Sequence, residues 1–179
     1  MIIGAIVGGI IIFAWQTLSY TILNLHEKSM QYTPKQDAIL QFLDSQDLEP
    51  GGYMIPRAPN DVSMEEAQKQ FEPYLGKPWA MVTYYDDLDM SMGMNMIRGL
   101  LSNMIMVFLL CWVFSKIPNA SYATYFTGTV FVGLIAFINE PYTGHIWYPL
   151  YDIGAFLIDS LAAWGLCGIW LGWWLARKK

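Results

Sequence analysis

Residues 154–176 read GAFLIDSLAAWGLCGIWLGWWLA and run directly into a basic end, Arg177, Lys178 and Lys179. This stretch carries a single ionisable carboxylate, Asp159. At about 1.5 Å per helical residue it is long enough to cross a hydrocarbon layer about 30 Å thick. Three further runs have the same character: 1–23, 94–114 and 122–138, the last at the short end of the spanning range. The composition agrees, with 55% hydrophobic residues, 14% charged residues and a mean hydropathy of +0.32. A soluble domain would be more charged. The expected fold class is an all-α membrane protein, an antiparallel bundle of four transmembrane helices. A small α/β insert, residues 24–93, separates the first two. The short connection from Ser115 to Ser121 contains Pro118, so the second and third helices are expected as antiparallel neighbours in a hairpin.

The first run lacks the basic start and small-residue cleavage site of a secretory signal, so it reads as a retained helix. Basic residues close to helix ends mark the cytoplasmic side. Arg177, Lys178 and Lys179 therefore place the C-terminus inside. Four crossings then put Met1 inside with the Lys116 turn, and the insert outside with the loop from Asn139 to Tyr151. Most acidic residues fall between Leu25 and Ile97, on that outer side. Trp170, Trp173 and Trp174 at one end of the last helix, and Trp147, Tyr148 and Tyr151 before its other end, form interfacial belts. The expected location is the inner (cytoplasmic) membrane, the lipid bilayer being the first partner. No nucleic-acid partner is expected.

Within the insert, Thr33, Pro34, Lys35 and Gln36 have the capping-box pattern with Pro at the first helical position, followed by Ile39, Leu40, Phe42 and Leu43 at helical spacing. Gly51-Gly52 punctuates, and 53–55 reads as a strand. Ser63 to Glu66 opens a second helix with another capping box. Residues 79–85, rich in β-branched and aromatic side chains, form a second strand. Cys111 and Cys167 both lie in apolar runs, so the insert holds no disulfide and the thiols read as small buried hydrophobes. Common zinc-hydrolase, nucleotide-loop and serine-hydrolase motifs are absent from the sequence.

Two constellations carry candidate chemistry. Met90, Met92, Met94 and Met96 alternate at the start of the second helix, and thioethers are soft ligands suited to Cu(I). His26 and Met30 can add ligands if the helix ends meet. The alternating spacing resembles the Met-x-Met segments of copper transporters and periplasmic copper chaperones, over this segment alone. That resemblance implies extracytoplasmic copper binding; otherwise the methionines fill space where insert meets bundle. The second constellation is polar: Arg98, Asn103, Asn139, Glu140, His145, Asp152 and Asp159, all placed at the outer end. Asp159 lies deepest, where a lone carboxylate is costly, and Arg98 is its expected partner. These residues read either as a pocket or as paired helix ends. Asp86, Asp87 and Asp89 lack calcium-loop spacing and read as a solvated edge.

Gly4 and Gly8, and likewise Gly165, Gly168 and Gly172, put small residues at helical spacing. Such spacing marks close helix contact, within one chain or across a homodimer. The favoured expectation is a non-catalytic scaffold or accessory subunit of a membrane complex, with no cofactor. Soft-metal handling through the methionines is the alternative. An intramembrane enzyme or transporter using Asp159, Glu140 and His145 is a third class.

Overall fold

The computed structural model describes residues 1–89 and 91–177. The chain divides into two compact units, residues 1–31 with 91–179 and residues 32–90. Met90, one of the four alternating methionines, lies outside the described residues, as do Lys178 and Lys179.

Among the described residues, seven α-helices and two strands follow in order: α1 Ile2–Thr21, α2 Gln36–Asp44, β1 Gly51–Ile55, α3 Met64–Phe71, β2 Ala80–Tyr84, α4 Met92–Phe114, α5 Tyr122–Phe137, α6 Thr143–Trp147 and α7 Ile153–Ala176. Among the described residues, four helical segments are long and apolar enough to cross a membrane: Ile2–Thr21, Met92–Phe114, Tyr122–Trp147 and Ile153–Ala176. The third is longer than the sequence suggests. A π-helical turn, Ile138–Tyr142, carries the helix past Pro141 into α6. Proline removes one backbone donor and crowds the preceding turn. The wider turn makes room, and the Ile138 carbonyl accepts from both the backbone N–H of Thr143 and, at 2.7 Å, its hydroxyl. Most of the expected 139–151 loop is therefore helix.

In the helical unit, α1 lies along α4 and α7, and α7 also lies along α5. The expected α4–α5 hairpin is corrected by this arrangement. The two helices are joined by a short turn, but they meet chiefly beside it, where Phe114 packs edge-on against Tyr125 with ring centroids 5.1 Å apart. Each then follows a different partner: glycines of α1 receive α4 and α7, while α5 and α7 meet at glycines on both, Gly133 receiving Trp164. A Cβ on Gly8 would lie 2.8 Å from Val107 and 3.0 Å from the Cys167 sulfur, and one on Gly9 would lie 2.7 Å from the Met104 backbone. Gly4 packs likewise beside Cys111, Leu171 and Trp174. On α7, Gly168 receives Phe126 and Thr129, and Gly172 receives Tyr122. These glycines serve contacts within the chain, whereas Gly165 faces open space. Ile12, Val107, Cys111, Cys167 and Leu171 fill the interior between the glycines, and both cysteines are free thiols.

In the second unit, β1 and β2 pair antiparallel with Tyr53 opposite Val82. Ser63 caps α3 with the expected reciprocal box to Glu66. The box expected at Thr33 does not form. The α2 N-cap is Lys35, and the Thr33 hydroxyl accepts from the Lys35 N–H at 3.3 Å, folding a local turn that delays the helix. No described residue of 32–89 is fully buried. The two-stranded sheet is too small to close over a core, and Ile39, Leu40 and Phe42 on α2 remain about half or more exposed.

Candidate functional site

Just beyond α1, Asn24 adopts a left-handed conformation (φ 47°) and the Leu25 N–H bonds back to the Ser19 carbonyl. This turn folds the chain against the helix end and carries His26 inward. Only 2% of His26 remains exposed. A turn of 3-10 helix, Glu27–Ser29, follows.

Both ring nitrogens of His26 meet carboxylates of one helix. Nδ1 lies 2.7 Å from Asp152 Oδ2, and Nε2 lies 3.0 Å from Asp159 Oδ2. Asp152 is the N-cap of α7, and Asp159 is two turns further along. The Trp15 indole N–H donates to the other oxygen of Asp159 at 3.0 Å. Tyr20 stacks flat on the imidazole, centroids 4.1 Å apart and planes 8° from parallel, while Phe156 packs edge-on at 4.7 Å. The ring is thus fixed in plane by its hydrogen bonds and in tilt by two aromatic side chains.

The electrostatics follow from this enclosure. Burial works to lower the His26 pKa, but hydrogen bonds and charge from Asp159 and Asp152 outweigh it and hold the imidazolium above the usual histidine range. Burial likewise works to raise Asp152, yet Ser29 and His26 together hold its carboxyl below the usual range. Asp152 Oδ1 is buried without a hydrogen-bond partner among the described residues, as is the Ser19 hydroxyl.

This geometry rearranges the predicted polar pocket. Asp152 and Asp159 come together, but around His26 and Trp15. Arg98 is exposed, and Asp159 is satisfied by those two nearer donors instead. Asn103 is buried on α4 and donates to Gln16 of α1 at 2.7 Å, since Gln16 faces α4 while Trp15 faces α7. Asn139 and Glu140 are exposed on the π turn, and half-buried His145 accepts the Leu150 N–H on Nδ1 at 2.9 Å. The structure brings neither Glu140 nor His145 into hydrogen bonding with Asp159.

The metal reading changes too. His26 spends both ring nitrogens on carboxylates, leaving no lone pair for an ion. Met30 is 66% exposed, and Met92, Met94 and Met96 are about half exposed on the first turns of α4. A helix turns Met94 away from the face that Met92 and Met96 share. Among the described residues, no group of three or more His, Cys, Asp or Glu side chains is arranged to hold a metal ion.

Sequence reasoning missed Trp15, Gln16, Tyr20 and Phe156. A signal was present: Ile12, Trp15, Gln16 and Ser19 follow helical spacing, placing hydrogen-bonding groups on one stripe of an otherwise apolar run. Comparison of the chain with protein-family models, with curated proteins and with solved structures finds no match to any of them.

Proposed function

We propose that the protein is a four-span protein of the inner (cytoplasmic) membrane, with both termini in the cytoplasm and residues 32–90 outside. There it acts as a non-catalytic scaffold or accessory subunit of a membrane complex. The observation that carries this reading is the 32–90 unit itself. It has regular structure, a working capping box and a paired sheet, yet no fully buried residue among those described. Such a unit gains its missing burial from something else. It also holds eleven acidic against four basic residues, which favours a partner with a basic surface and disfavours an anionic lipid surface.

Native mass spectrometry from mild detergent tests the proposal. The expected spectrum shows a second subunit or a second copy, lost when Phe42, 63% exposed, is changed to Glu. A bare monomer throughout would sink it.

Copper binding stands as the second reading on one observation. Met92, Met94 and Met96 are each about half exposed and are not part of the buried core. The same spectrum tests it: a mass increment matching copper, absent from a variant with Met90, Met92, Met94 and Met96 all changed to Leu. Leu keeps the volume and removes the sulfur.

A further inference from the structure

We infer that His26, Asp152 and Asp159 form a proton-binding latch, in which one exchangeable proton fastens residues 22–31 to the start of α7. A neutral imidazole has one N–H and one lone pair. With carboxylate oxygens 2.7 Å and 3.0 Å from the two nitrogens, the neutral ring turns its lone pair against one of them. The imidazolium donates at both. The contact geometry therefore calls for one proton beyond the neutral ring and two carboxylates, and the cluster then carries a net charge of −1. When that proton leaves for water, one ring N–H bond breaks and its electron pair stays on the nitrogen. The charge becomes −2, and one of the two hydrogen bonds becomes a repulsion.

The latch has a defined load. Of residues 22–31, His26 alone is buried, and Leu25 is the only other that is not exposed. The imidazole is thus the anchor of the segment. The groups facing it are known on each side: Tyr20 of α1 on one face, Phe156 of α7 at its edge, and Asp152 and Asp159 of α7 in its plane. Glu27 and Lys28 flank it in sequence and are exposed, and Ser29 adjoins Asp152. Beyond Trp15, Asp159 and the Asn103–Gln16 pair, Ile12, Val107, Cys111, Cys167 and Leu171 fill the interior of the helical unit, and the buried Thr129 hydroxyl is spent on the Tyr125 carbonyl of its own helix. The proton therefore exchanges at one end of the helices, and the arrangement is a sensor of pH there. The raised imidazolium pKa is consistent with this role.

The test uses the full chain in detergent with His145→Gln, which leaves one histidine ring to observe. Nitrogen-15 spectra of the ring report its protonation from pH 5 to 10. Hydrogen exchange read by mass spectrometry follows residues 22–31 over the same range. Both ring nitrogens are expected to be protonated at pH 7.5. Loss of the proton at higher pH should raise exchange in 22–31 by about tenfold beyond its intrinsic pH dependence, as expected for the loss of one charge-assisted hydrogen bond. Asp152→Asn keeps the shape and removes a charge, so it should shift the ring transition to lower pH and loosen 22–31 at pH 7.5. A ring already neutral at pH 7.5 in the wild-type sequence would overturn the latch. So would exchange in 22–31 that ignores the transition, or a transition that ignores Asp152→Asn.

Discussion

Protonated His26 donates to Asp152 and Asp159 at once, and the sign of its pH linkage follows from that. A group whose folded pKa is raised contributes stability that is complete below its unfolded pKa, about 6.5 for histidine, and is lost as pH rises through the folded value. Asp152, held low in the folded state, contributes stability present above about 3.9 that is lost as pH falls through its folded value. Thermal unfolding in detergent should therefore show a plateau in mildly acidic solution with a decline on the alkaline side, and His26→Gln should flatten that decline. An alkaline limb equally steep in the variant would refute the assignment. Trp15→Phe removes the one indole donor to Asp159 while keeping an aromatic ring; it should cost about 1–3 kcal/mol in the same measurement. Only part of this cluster was legible in the sequence. Asp159 announced itself as a carboxylate inside an apolar run, but its partner could not be read. His26 lies 133 positions away, and the turn at Asn24 that carries it inward leaves no hydrophobic pattern.

At the scale of the helices, apolar length and helical spacing located the four long segments, because those signals are local and strong. Pairing was less legible, since it depends on which face of each helix carries its small residues. Gly165, Gly168 and Gly172 read alike in sequence, yet two receive side chains from α5 and one faces open space. The difference predicts opposite signs for one substitution. Gly165→Ala adds a Cβ where nothing lies within 4 Å and should stabilise by up to about 1 kcal/mol through helix propensity. Gly9→Ala drives a Cβ to within 2.7 Å of the Met104 backbone and should destabilise by about 1–3 kcal/mol. Midpoints of thermal unfolding, compared in one detergent, decide between this and a purely intrinsic glycine effect, under which both variants would gain. The α4–α5 pairing failed for the same reason. A short turn sets which helix ends are close, but the glycine faces on α1, α5 and α7 set which helices lie side by side.

For the whole molecule, the orientation proposed above is open to a direct test that the buried thiols make clean. Cys111 and Cys167 are 1% and 0% exposed, packed against the glycine faces of α1, so a membrane-impermeant maleimide has little native background to label. A cysteine placed at Glu72, exposed in the 32–90 unit, reports one side of the membrane; one placed at Lys116, exposed in the turn between α4 and α5, reports the other. Glu72→Cys should label in intact cells stripped of any outer barrier, and Lys116→Cys only after the membrane is opened. The reverse pattern would invert the topology and move the acidic unit, the exposed methionines and the His26 latch to the cytoplasmic side. Labelling of both in intact cells would contradict four crossings altogether, because one crossing, α4, separates these two positions. The pH that the latch meets depends on this outcome, since a cluster at the outer end of α7 samples the external medium while one at the inner end is buffered by the cell.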